Sequence, residues 1–150
     1  GLTGGGNAGA NTTLAVGAGT GITVNANDVA LTVQTDHGTY TPTLTNVANL
    51  DASTAYSCQY LRVGNTVTVS GRVDTDPTLA ATSTQLGISL PISSNFANAN
   101  ECAGTAFASG IAGQGAAILA DTGNDRAQMQ WVSGDITNQA MYFSFSYRVI

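Results

Sequence analysis

The chain has 150 residues, 43% of them hydrophobic and only 9% charged, with a formal net charge of −5. Four arginines (Arg62, Arg72, Arg126 and Arg148) and no lysine carry all the fixed positive charge. That excludes a surface built to track phosphates, so no nucleic-acid partner is expected. No apolar run reaches the roughly 18 residues of a membrane span, so no membrane insertion is expected.

In chain order, residues 1–36 come first, with eight of the 18 glycines and no aromatic residue. "LAV", "ITV" and "LTV" recur there every eight or nine residues, each with the period-2 mark of a short strand. "GAGTG" and "NAND" between them are turn material. The large apolar residues are too few to offset the ordering of so long a segment in a single chain. Either the region is disordered or it packs against copies of itself; the repeated triplets favour self-association, through Leu14, Val16, Ile22, Val24, Val29, Leu31 and Val33. The glycine-rich start "GLTGGGNAGAN" is no phosphate loop, because no strand precedes it, no helix pattern follows and lysine is absent. Starting at Gly1 without Met, the chain reads as a piece of something longer.

Residues 37–150 read as all-β. "AYSCQYLR" and "TVTVSGRVD" alternate around Gly64-Asn65, a hairpin signal. "TQLGISLP" puts Leu86, Ile88 and Leu90 on one face and stops at Pro91. "AGTAFAS" is a further strand. "AAILA" and "RAQMQWV" flank "DTGND", a second hairpin. "QAMYFSFSYRVI" places Met141, Phe143, Phe145, Tyr147 and Val149 on one face and is expected to run through the core, with Tyr142 on the other face. Six to eight strands and no helical period predict an antiparallel β-sandwich, jelly-roll-like in class.

Catalytic chemistry is poorly supplied. His37 is the single histidine and no G-x-S-x-G elbow is present, so a nucleophile–base pair is not expected. His37 reads as a hinge or surface residue at the boundary of the two regions; three copies around a threefold axis are the alternative, as metal ligands. The acid pairs Asp74/Asp76 and Asp121/Asp125 read as turn-capping and solvated groups, not a glycosidase pair. Cys58 and Cys102 read as small buried apolar side chains, with a disulfide as the alternative. Trp131 shares a face with Met129 and reads as core. The tyrosines offer faces on which sugar rings could stack, though most read as core or interface. No enzyme activity, metal or cofactor is expected.

"LTGGGNAGANTTLAVGAGTGITVNANDVALTV" resembles the shaft motif of tailed-bacteriophage fibres and related appendages, and "YLRVGNTVTVSG" is similar to the terminal domains that follow such shafts. The resemblance implies a homotrimer, with residues 1–36 as a short fibrous β shaft joined to other virion proteins at its N-terminal side. It implies residues 37–150 as a tip that attaches to a host surface glycan or outer-membrane protein, the whole located in the virion. The alternatives are a structural virion protein without a receptor, such as a head fibre or decoration protein, and a polysaccharide-cleaving tip. Loops on a rigid β scaffold are the expected contact sites: Asp76, Asn98, Asn100, Asp121, Asn124 and Asp125.

Overall fold

Alternation along "TVTVSGRV" and "AMYFSFSYR" decides which side chains each strand buries, and these two strands lie side by side in the sheet. The computed structural model describes residues 22–24, 29–31 and 33–150. The chain divides into two units, residues 1–34 and 35–150. In the first, β1 (Ile22–Val24) pairs antiparallel with β2 (Val29–Leu31), Ile22 opposite Leu31 and Val24 opposite Val29. The "ITV" triplet is a strand as the alternation predicted; the next strand is Val29–Leu31, so of "LTV" only Leu31 is in it and Val33 follows its end, exposed. Leu14 and Val16 lie outside the described residues.

The second unit opens with β3 (Thr35–Tyr40), so His37 sits inside a strand. β4 (Leu44–Ala48), β5 (Leu50–Ala55), β6 (Cys58–Val63) and the long β7 (Thr66–Pro77) follow. Then come β8 (Ser83–Ile88), a single 3-10 turn at Ala99–Glu101, β9 (Cys102–Ala108), β10 (Gly115–Asp121), β11 (Arg126–Val132) and β12 (Gln139–Arg148). The ladder runs β3-β6-β7-β12-β9-β10-β11-β8-β4, antiparallel at every pairing, with β5 also on β7. The all-β antiparallel expectation holds. The hydrogen-bonded ladder is one continuous sheet of ten strands, not two separate sheets.

Two features curl that sheet. First, β7 carries β6 along its first half and β5 along its second, so β5 and β6 are collinear and broken at Tyr56 and Ser57. Second, only Asn49 separates β4, which pairs with β8, from β5, which pairs with β7. Strands far apart in the ladder are thereby tied through one residue. Asn49 takes φ +55, a left-handed conformation that Asn tolerates better than most.

Inside the curl, large meets small. On β12 the buried Met141, Phe143, Phe145 and Tyr147 stand opposite Ala108, Ala106, Gly104 and Cys102 of β9. Val67, Val69 and Val73 of β7, Leu86 and Ile88 of β8, Ile118 of β10 and Met129 and Trp131 of β11 complete the core. Leu90 and Val149 pack on it partly buried. Cys58 and Cys102 are buried free thiols, and burial pushes Cys102 up to about 12.

The registers define two ends. Thr35, Val63, Thr66, Cys102, Asp121, Arg126 and Arg148 lie at one. Pro77, Ser83, Ala108, Gly115, Val132 and Gln139 lie at the other.

Candidate functional site

The alternation that fills the core also fixes what each strand shows outward. On β9, β12 and β7 the outward residues line up across the strands, Phe107 opposite Tyr142 and Tyr142 opposite Arg72. Tyr56, at the break between β5 and β6, continues this row. The Phe107 and Tyr142 rings stack with centroids 5.7 Å apart and planes 20° from parallel. The Arg72 guanidinium carbon lies 4.5 Å from the Tyr56 centroid and 6.0 Å from that of Tyr142, within cation–π range. Phe107 is 58% exposed, Tyr142 40% and Tyr56 39%, so the row forms a ridge of aromatic side chains partly open to solvent.

Asp74 holds the ridge in place. It accepts hydrogen bonds from Arg72 Nε at 2.9 Å and Nη2 at 2.9 Å, and from the Tyr56 hydroxyl at 2.8 Å. This two-pronged pairing fixes the guanidinium plane and cancels its charge locally. The hydrogen bond to Asp74 raises the Tyr56 hydroxyl and the Arg72 guanidinium above their ordinary values.

One step along the strands toward the Thr35 end, the next outward row is short: Thr105, Ser144, Ser70 and Gln59, again in register. Tall rings beside small hydroxyls make a trough of about 580 Å³, floored in part by Gly71 and Phe143. Gly71 is needed here, because a Cβ would lie 2.8 Å from that of Cys58. The trough crosses four strands, three spacings of ~4.8 Å, and so runs for about 14 Å. A second hollow of about 460 Å³ shares Ser57 and Gln59 with it and reaches His37 and Tyr60. His37 is exposed there. Among the described residues no three His, Cys, Asp or Glu side chains come together as metal ligands would.

The expected contact residues do not gather in one place. Asp76 lies beside Pro77, while Asp121, Asn124 and Asp125 lie at the Thr35 end. The loop carrying Asn98 and Asn100 is at that end too, leading through the 3-10 turn into Cys102. Several of these residues clip the chain to itself. The Asp125 carboxylate accepts the backbone N–H groups of Ser94, Asn95 and Phe96 at 3.2, 2.7 and 3.0 Å. Asp121 accepts from Arg126 Nε at 2.7 Å and Asn124 Nδ2 at 2.9 Å. Asn98 and Glu101 form a capping box around the 3-10 turn.

Burial opposes the charges of Asp121 and Asp125, but these donors outweigh it and hold both carboxyls below the usual range. A carboxyl lowered on folding stabilises the fold above its unfolded value, near 3.9, and that gain is lost as pH falls through the lower folded value. Thermal midpoints are therefore expected to stay level from neutrality down to about pH 5 and to drop below about pH 4. Asp125→Asn should flatten part of that acid slope in a calorimetric pH series; an unchanged slope counts against the clip.

Tyr142 points outward and Trp131 is buried beside Met129, both as the period-2 reading expects. Tyr56 and Tyr142 are among the tyrosines whose faces could stack on sugar rings, whereas Phe107 and Arg72 carry no site expectation in the sequence. The available signal was parity: in "AGTAFAS" the phenylalanine alternates against the small inward residues Gly104, Ala106 and Ala108. No protein-family model matches this chain, and no curated protein matches it.

Proposed function

We propose that this chain is the end of a trimeric, non-catalytic bacteriophage fibre, located in the virion, that attaches to a host cell surface. Residues 1–36 form a β shaft with two further copies and lead toward other virion proteins. Residues 37–150 form the tip, its curled sheet acting as the two facing layers of a jelly-roll-like sandwich. The observation that carries this reading is the trough beside the exposed row of Phe107, Tyr142, Arg72 and Tyr56. Open aromatic faces beside unpaired hydroxyls suit recognition; a surface with no partner would not be expected to keep them.

Supporting it, Ile22 is 40% exposed in the single chain, an apolar side chain left over for a neighbouring copy. In sedimentation equilibrium the protein should weigh about three times its 15.1 kDa chain mass. Ile22→Asp should weaken assembly, since each copy loses roughly 2 kcal/mol of apolar burial and gains a buried charge. Fluorescently labelled protein should adhere to some members of a panel of bacterial strains. A stable monomer at micromolar concentration ends the trimer, and adhesion to none of the strains ends the attachment role. Release of reducing sugar from envelope polysaccharide, abolished by Asp74→Asn or Asp76→Asn, would show a cleaving tip instead.

A further inference from the structure

We propose, building on the attachment role above, that the trough beside Phe107 and Tyr142 binds a neutral oligosaccharide, its sugar rings lying against the aromatic ridge and its hydroxyls bonding the Thr105, Ser144, Ser70 and Gln59 row. Three features of the site select this class of ligand.

The first is charge. Arg72 is the only cation lining the trough, and both carboxylate oxygens of Asp74 already hold it. A sulfated, phosphorylated or uronic ligand would find no free positive partner. An amine would find no free carboxylate.

The second is the supply of hydrogen bonds. Among the described residues, the side chains of Thr105, Ser144, Ser70 and Gln59 make no hydrogen bond to another protein group. One row further along, by contrast, Thr68 and Ser146 satisfy each other at 2.9 Å. The unpaired row offers three hydroxyls and one amide, each able to donate and accept, which is what a polyol needs. Beside it the exposed rings of Phe107 and Tyr142 offer apolar surface for the C–H face of a pyranose.

The third is the course of the trough. It runs across β6, β7, β12 and β9, each paired on both sides, so no free backbone edge exists there for an added peptide strand. At about 14 Å it accommodates several linked rings in a row.

The test uses the full chain and calorimetric titration with malto-, β-gluco-, manno- and galacto-oligosaccharides, set against oligogalacturonate. At least one neutral series should bind and the uronic series should not. Phe107→Ala and Tyr142→Ala should each weaken binding by about tenfold or more, the loss typical of removing an aromatic stacking face. Ser144→Phe fills the trough while leaving the ridge intact and should weaken it equally. Leu61→Ala, beyond the hydroxyl row on β6, should change nothing. Failure of every neutral series to bind overturns the proposal, as does binding that survives both Phe107→Ala and Ser144→Phe. A fall in oligomer mass on Phe107→Ala also overturns it, because the ridge then faces a second copy of the chain. Adhesion to cells, measured on the same proteins, separates the two readings. Adhesion unchanged by the trough variants ends the glycan site and leaves attachment standing. Oligosaccharide binding by a protein that adheres to no cell keeps the site and ends attachment.

Discussion

Asn49→Ala is expected to lower the thermal midpoint by about 10–15 °C, a large effect for a single half-buried polar side chain. The side chain works as a small hub. Its two Nδ2 hydrogens are shared among three acceptors, the Leu79 carbonyl at 2.9 Å, Thr84 Oγ1 at 2.8 Å and Ser133 Oγ at 3.2 Å. Its Oδ1 accepts from the Leu79 N–H at 2.9 Å and the Thr78 hydroxyl at 2.7 Å. Three segments distant in sequence thus meet at one amide: the β4–β5 corner, the β7–β8 loop with the start of β8, and the residue after β11. Losing these contacts, at roughly 0.5–1.5 kcal/mol per hydrogen bond and not fully additive, sums to about 3 kcal/mol. Alanine adds strain at φ +55, where asparagine is tolerated. Asn49→Gly relieves the strain but not the bonding, so it should fall between wild type and Asn49→Ala. Asn49→Asp keeps the acceptor side alone and should also be intermediate. Differential scanning calorimetry on the three variants decides the matter; a shift under about 3 °C for Asn49→Ala would falsify the hub.

Gly104→Ala should be at least as damaging, by about 3 kcal/mol or more, although it adds one methyl group. Gly104 faces Phe145 across the β9–β12 ladder on the core side. A Cβ there would press on the Ser144 carbonyl oxygen and the Phe145 Cβ, and would sit 2.6 Å from the Phe145 Cα. The obstruction is mainly backbone, so rotating the Phe145 ring does not relieve it. Truncating that ring should not relieve it either: the double variant Gly104→Ala with Phe145→Ala is expected to be less stable than either single variant. Thr105→Ala, the next residue and outward-facing, serves as the control and should stay within about 0.5 kcal/mol of wild type. Urea titrations would show the difference, and a Gly104→Ala variant as stable as the control would sink the packing account.

The strands that were legible in the sequence are those whose two faces differ most. "AMYFSFSYR" alternates aromatic with serine, and "TVTVSGRV" alternates valine with hydroxyls; both are β-strands with the expected face buried. β3, β4 and β5 escaped notice. "LTNVA" and "LDASTA" hold few large apolar residues, contribute only half-buried side chains and contain the Asn and Asp usual in turns. They are strands because β8 and β7 offer them free edges to pair with, a tertiary cause that no local pattern records. β3 escaped for the same reason, with His-Gly at its centre reading as a hinge.

The candidate site was half legible. Parity alone turns Tyr142 outward. Its neighbours Phe107 and Arg72 are 35 and 70 residues away in sequence, and only the registers of β9 and β7 on β12 bring the three together. The acidic loop residues had the composition of contact residues, yet Asp121 and Asp125 spend their oxygens on Arg126, Asn124 and backbone donors.

The position of β12 bears on how the fold is reached. It is the last strand in chain order, yet it lies between β7 and β9 in the middle of the ladder. Until residues 139–148 have left the ribosome, the ladder can form only as two pieces, β3-β6-β7 with β5 and β9-β10-β11-β8-β4, joined through Asn49 but with unpaired inner edges on β7 and β9 and uncovered apolar faces. Zipping them together requires contacts between residues as distant as Val67 and Tyr147, which makes the final step slow and dependent on the whole chain. Nascent chains stalled before Gln139 should accordingly be protease-sensitive and prone to edge-to-edge aggregation, while those carrying an unrelated tail beyond Ile150 should resist digestion.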